Sequence, residues 1–369
     1  MSVQISYKKQ TLFGLMFLLL LFFIFETSIQ IYNFYNPSCK FIDSEVFAIV
    51  DDDLKRKICL DTDNIKFKNS PLRNVENQNL YLMNINSNGF RGDEITKIKP
   101  DNTYRIIVVG GSTVMGNTAT SDDTTITGAL QHFLDNSNLP KNVEVINAGI
   151  GGAFSFTEVN FIKNSLINYS PDLLIIYDGW NDVTRELSVM HEDSADYNLQ
   201  TIILRKLIIK NDFIKSPGLF LKIYNNYKFS MTESRNFNEN GIDEKAELWK
   251  TRWMDICELG SKNNFDVVVT LQPLVGTGEK ILTLEEKIYY KKYDHENLIP
   301  NYEKYGQKLD EMNNVCTKVF DLRNAFDGQN DTIFHDSGHV GDKGNKIIAE
   351  KMHEIILSII NEDISKSHK

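Results

Sequence analysis

Five short apolar runs punctuate the chain, at Tyr104–Val109, Val143–Ile146, Leu173–Tyr177, Val267–Leu271 and Val319–Leu322, with helical patterns between them. Strands buried on both faces read as nearly continuous apolar runs, so this alternation predicts a parallel sheet flanked by helices. The last helix is predicted over about 343–360, where Ile347, Ile348, Met352, Ile355, Ile356 and Ile359 fall on one stripe able to dock on the sheet.

The amino terminus follows another pattern. Every residue from Leu12 to Phe25 is apolar or glycine, and Lys8 and Lys9 precede the run. Flanking lysines on the amino side predict a segment that enters a membrane with its amino end in the cytoplasm and the rest of the chain outside. The run is shorter than the usual span of about 20 residues, which makes a cleaved signal peptide the rival reading. Residues Glu26–Tyr32 lack a small-x-small cleavage site, and this favours an uncleaved single-pass anchor in the cell membrane over residues 1–32.

Residues 33–100 read as a loop-rich extracytoplasmic stalk and 101–369 as the catalytic domain, interrupted by a helical insertion at about 184–245. Within the insertion, Leu199–Tyr227 mixes apolar residues with Arg205, Lys206, Lys210, Lys215 and Lys222. That composition fits a cap facing an anionic surface and, equally, helices packed on the core. In the stalk, Asn88-Gly89-Phe90-Arg91-Gly92 reads as a structural turn whose Phe90 and Arg91 pack on the domain. Cys39 and Cys59 lie in a stretch poor in apolar residues, where a disulfide would staple it. Cys257 and Cys316 read as free, buried thiols.

The net charge of −10 leaves no electrostatic footprint for nucleic acid, and the seven histidines show no metal-ligand spacing. No metal or organic cofactor is expected. The chemistry is carried instead by four fragments. Ser112 directly follows the first strand, in Gly110-Gly111-Ser112, where its hydroxyl can be held out at the sheet edge. Asn147–Gly152, Gly179-Trp180-Asn181-Asp182 and Asp336-Ser337-Gly338-His339 follow in that order. A serine hydroxyl needs a base to take its proton and a third group to orient that base. His339 and Asp336, three residues apart on one turn, supply both. The backbone N–H of Ser112, the backbone N–H of Gly152 and the side-chain amide of Asn181 are candidate donors to an oxyanion. Gly111, Trp180 and Gln272 are candidate substrate-lining residues.

On these fragments the chain resembles the SGNH/GDSL family of serine esterases and acylhydrolases, over about residues 104–360. The resemblance implies a three-layer α/β/α, flavodoxin-like fold. It maps the four signature residues onto Ser112, Gly152, Asn181 and His339, with Asp336 as the acid of the Asp-x-x-His block. One departure stands out: the family's first block usually reads Gly-Asp-Ser, and Gly111 occupies the aspartate position. The expected activity is ester hydrolysis through an acyl-serine intermediate, on acylated surface glycans or lipids. Two alternatives are O-acyl transfer to a surface polysaccharide and an inactive glycan-binding module on the same fold.

Overall fold

The computed structural model describes residues 6–35, 39, 41–69, 71–190 and 241–366. They fall into two units, the amino-terminal helix α1 (Tyr7–Tyr35) and a body made of 39–190 and 241–366. Helix α1 has 29 residues, which at 1.5 Å each make it about 43 Å long, more than the roughly 30 Å of a bilayer's hydrocarbon core. It is long and apolar enough to cross a membrane.

The body opens with α2 (Asp52–Asn64), whose first turn is capped by the Asp51 carboxylate on the Leu54 N–H. Two short antiparallel pairs follow, β1 (Phe67–Asn69) with β2 (Leu72–Asn74) and β3 (Gln78–Asn79) with β4 (Asn84–Ile85). The central sheet comprises β5 (Thr103–Gly110), β6 (Asn142–Asn147), β7 (Leu173–Asp178), β8 (Asp266–Leu271) and β9 (Lys318–Asp321). All neighbours are parallel, in the order β6-β5-β7-β8-β9. This is the flavodoxin-like order, and the direction of winding reverses at β5, leaving a crevice at the carboxyl ends of the strands.

The two faces of the sheet bury alternate residues of the same strands, as the period of two demands. Ile107, Val109, Leu174 and Ile176 join one core with α5 (Ser155–Asn164), α8 (Ile242–Asn263) and α10 (His295–Met312), around Trp249, Trp253, Tyr302 and Tyr305. Ile106, Val108, Leu173 and Ile175 join the other with α4 (Ile126–Asp135) and α11 (Asp342–Lys366), through Leu130, Ile348, Met352 and Ile356. The result is the expected three-layer α/β/α body. Short helices α3 (Ser112–Met115), α6 (Trp180–Thr184), α7 (Leu187–Met190) and α9 (Leu284–Lys292) punctuate the loops.

Residues 41–100 build onto this body. Phe90 is buried in the first core, and the Arg91 N–H donates to Asn147 O at 3.3 Å. The buried Arg91 guanidinium donates to Met115 O at 3.0 Å and to Asp122 Oδ1 at 2.6 Å, which pins the chain just after α3. Cys39 and Cys59 are bonded to each other. Cys257 and Cys316, expected to be free, are also bonded, and this corrects the reading from sequence. Cys257 sits on the sheet-facing side of α8 and Cys316 immediately precedes β9, so packing brings their Cα atoms within 4.8 Å across a separation of 59 residues. Of the insertion at 184–245, residues 191–240 lie outside the described chain.

Candidate active site

The carboxyl ends of β5, β6 and β7 bring Ser112, Gly152 and Asn181 to one place, and the loop before α11 carries His339 to meet them. His339 Nε2 lies 2.7 Å from Ser112 Oγ, and His339 Nδ1 lies 2.7 Å from Asp336 Oδ2. The same carboxylate accepts the backbone N–H groups of Gly338 at 2.9 Å and His339 at 2.8 Å through Oδ1. Asp336 therefore holds the loop and the imidazole together. Burial works against its charge, but the neighbouring His339 and His335 and the Gly338 N–H prevail and hold the carboxyl well below the usual carboxylate range.

Two further histidines clamp this loop. His335 is buried and stacks on the His339 ring with centroids 5.7 Å apart, and its Nε2 lies 3.0 Å from Thr118 Oγ1. Burial pushes His335 down to about 4, so it is neutral at ordinary pH. On the other side, His295 Nε2 lies 2.6 Å from Ser337 Oγ while its Nδ1 meets Val275 O, and burial lowers this histidine as well. Trp180 is half-buried and presents its ring edge-on to His339 at 4.8 Å.

On the far side of Ser112, Gly152 adopts a positive φ of 75°. The Asn181 side-chain amide donates to Ala153 O at 2.7 Å, which engages one of its two N–H groups. No hydrogen bond from the backbone N–H of Ser112 or of Gly152 is found among the described residues.

Two of the candidate substrate-lining residues, Gly111 and Gln272, are buried. Gly111 is buried, and a Cβ there would lie 2.7 Å from Asn181 Nδ2, so its hydrogen side is filled by the asparagine. The absent side chain is what lets Asn181 approach, and this explains why the position can hold a glycine here. Gln272 is only 3% exposed, because β8 carries it into the interior, where its backbone N–H bonds Asp178 O and its carbonyl accepts the Tyr302 hydroxyl.

Two residues near the site were missed. The Phe67 ring comes within 3.0 Å of where a Gly151 Cβ would stand. The Arg185 guanidinium donates to Gly152 O at 2.5 Å and lies 4.3 Å from the Phe154 ring centroid. Neither residue stands in a local motif, and only the chain's folding brings them to the Gly151-Gly152 loop.

Chemically, a hydroxyl bonded to an imidazole whose other nitrogen faces a carboxylate can lose its proton while attacking an ester carbonyl. Donors aimed at the developing oxyanion lower the barrier further.

No protein-family model matches the chain, and no curated protein matches its sequence. Solved structures do. They include esterases and acylhydrolases. An acetyl xylan esterase is 16% identical with a TM-score of 0.41, the alignment covering 68% of this chain and 99% of that one. The lipase/acylhydrolase from Enterococcus faecalis is 15% identical with a TM-score of 0.41, over 69% of this chain and 95% of the other. A protein assigned to the lipolytic G-D-S-L family from Desulfitobacterium hafniense DCB-2 is 12% identical with a TM-score of 0.39, over 68% and 98%. At this level of likeness each neighbour's activity remains its own.

Proposed function

We propose that the chain is a membrane-anchored ester hydrolase of the SGNH type. Ser112 attacks the ester carbonyl, His339 takes the serine proton and returns it to the leaving alcohol, and Asp336 holds the imidazole in the required tautomer and stabilises its charged form. The backbone N–H groups of Ser112 and Gly152 and the Asn181 amide receive the oxyanion, and water then releases the acyl group from Ser112. The observation that carries this reading is the unbroken Ser112–His339–Asp336 relay, with both contacts at 2.7 Å, drawn from residues 227 apart in sequence.

Helix α1, preceded by Lys8 and Lys9, anchors the enzyme with its amino end in the cytoplasm. Two disulfides in the body fit a catalytic domain in an oxidising compartment outside that membrane. The substrates are acylated glycans or lipids at the cell surface, with short acyl groups. A fluorophosphonate probe tests the nucleophile: it labels the wild-type chain at Ser112 and leaves Ser112→Ala unlabelled. An active Ser112→Ala enzyme ends the reading. A series of p-nitrophenyl esters from acetyl to long chain tests the acyl preference, and a maximum at long chains refutes the short-chain assignment.

A further inference from the structure

The turn that presents Asn181 is braced from beneath by two carboxyl groups. Asp178 ends β7 and Asp182 lies four residues on, in α6; both are buried and hydrogen-bonded to each other. Two carboxyl groups in such contact cannot both be ionised, so the pair holds a proton. Their other partners say where it sits. Asp182 accepts the Ser155 backbone N–H at 3.0 Å and also the Ser155 hydroxyl, which in turn accepts from Arg252 Nη1 at 3.0 Å. Burial raises both carboxyls, but the Ser155 donors and the Arg252 charge favour the ionised form of Asp182, which leaves Asp178, the acceptor of the Trp249 indole N–H at 3.1 Å, as the member better placed to keep the proton. Burial, with Asp182 nearby, holds Asp178 far above the usual carboxylate range.

The surroundings are close on every side. Glu158 of α5, Lys245 and Arg252 of α8, and Tyr302 and Tyr305 of α10 all face the pair electrostatically, and Arg185 faces Glu158. Gly179, between Asp178 and Asn181, has a φ of 119°, and a Cβ there would lie 2.4 Å from Leu271 Cδ1. A side chain at Gly179 would therefore be strained and would crowd Leu271 and Tyr302.

Ser155 stands three residues after Gly152, and Asp182 is the neighbour of Asn181. The Ser155–Asp182 bonds, together with the Asn181–Ala153 bond, tie the Gly152 loop to the Asn181 turn. We propose that the Asp178–Asp182 acid pair is a positioning device that fixes the spacing between the Gly152 N–H and the Asn181 amide; the inference rests on the esterase reading above. The pair touches no substrate and acts through Asn181, so its loss falls on the transition state.

The test uses the full chain, p-nitrophenyl acetate hydrolysis and the rate of fluorophosphonate labelling. Asp182→Asn lowers kcat about 100-fold with KM within about twofold, the effect of a small misplacement of catalytic donors. Ser155→Ala, a milder change, lowers kcat about tenfold. Asp178→Asn still offers an N–H to Asp182 and keeps kcat within about threefold, while Asp178→Ala falls to the level of Asp182→Asn. Wild-type kcat declines at alkaline pH as the shared proton leaves, and this decline is absent in Asp178→Asn. Unchanged kcat in folded Asp182→Asn or in Ser155→Ala, or equal impairment of the two Asp178 variants, overturns the inference. Wild-type turnover with unaffected variants defeats this inference alone, whereas a wild-type chain that neither turns over nor labels removes the esterase reading and the inference with it.

Discussion

A methyl group on Gly111 would stand 2.7 Å from Asn181 Nδ2 and 3.4 Å from Ala153 O, and one of the two must give way. Since Asn181 is also tied to Ala153, the amide moves as a unit with its loop. Gly111→Ala should therefore lower kcat on p-nitrophenyl acetate by about 10²-fold with little change in KM, the pattern of a lost or displaced oxyanion donor. Equal kcat in the variant would show that the amide tolerates displacement. Asp336→Asn should cost more than removal of one charge suggests. Its oxygen would be claimed by the two backbone N–H groups of Gly338 and His339, leaving an NH2 to face His339 Nδ1 and impose the wrong tautomer. We expect kcat to fall by about 10³–10⁴, as an amide in that role does elsewhere. A loss under tenfold would mean that the ring finds another acceptor.

Among the elements, the two disulfides close loops of different length and should contribute differently. The chain-entropy relation gives about 4 kcal/mol for Cys257–Cys316 and about 3 kcal/mol for Cys39–Cys59, from separations of 59 and 20 residues. Urea unfolding of the Cys257→Ala/Cys316→Ala and Cys39→Ala/Cys59→Ala double variants checks both values, with the first pair expected to lose more. The reverse order would mean that native packing outweighs loop closure. The strands were legible because burial on both faces leaves a local mark: the run predicted at Leu173–Tyr177 is β7 to within a residue. The last helix also followed from its stripe, although it starts at Asp342 and continues to Lys366. The Cys257–Cys316 bond was not legible, since a helix position and a strand approach share no pattern until the sheet sets them side by side. The burial of Gln272 was likewise not legible, since its place just after a strand does not reveal the course of the next loop.

For the whole molecule, acid should be the sensitive direction. His335 is neutral and buried when folded, with its value depressed to about 4, against about 6.5 when unfolded. The unfolded chain thus binds the extra proton first. This contribution to stability is complete above pH 6.5 and disappears as pH falls through 4, a loss of about 3 kcal/mol. His295, also lowered by burial, acts in the same sense, and Asp336 adds its own loss only below its unfolded value near 4. Unfolding free energies measured from pH 7 to 4 should fall less steeply in His335→Gln than in the wild type, and parallel curves would remove His335 from this role. The site residues were named from four short motifs because each motif makes its own turn. Arg185, Phe67 and the Asp178–Asp182 contact depend on how those turns meet, which no fragment encodes alone. The relay joins residue 112 to residue 339 of a 369-residue chain. At synthesis rates of about 5–20 residues per second, the serine precedes its base by roughly 10–45 s. On the proposed esterase reading, the nascent protein would during that interval carry a nucleophile it cannot activate, and turnover would begin only once the segment bearing His339 has docked, a clock for the completion of folding.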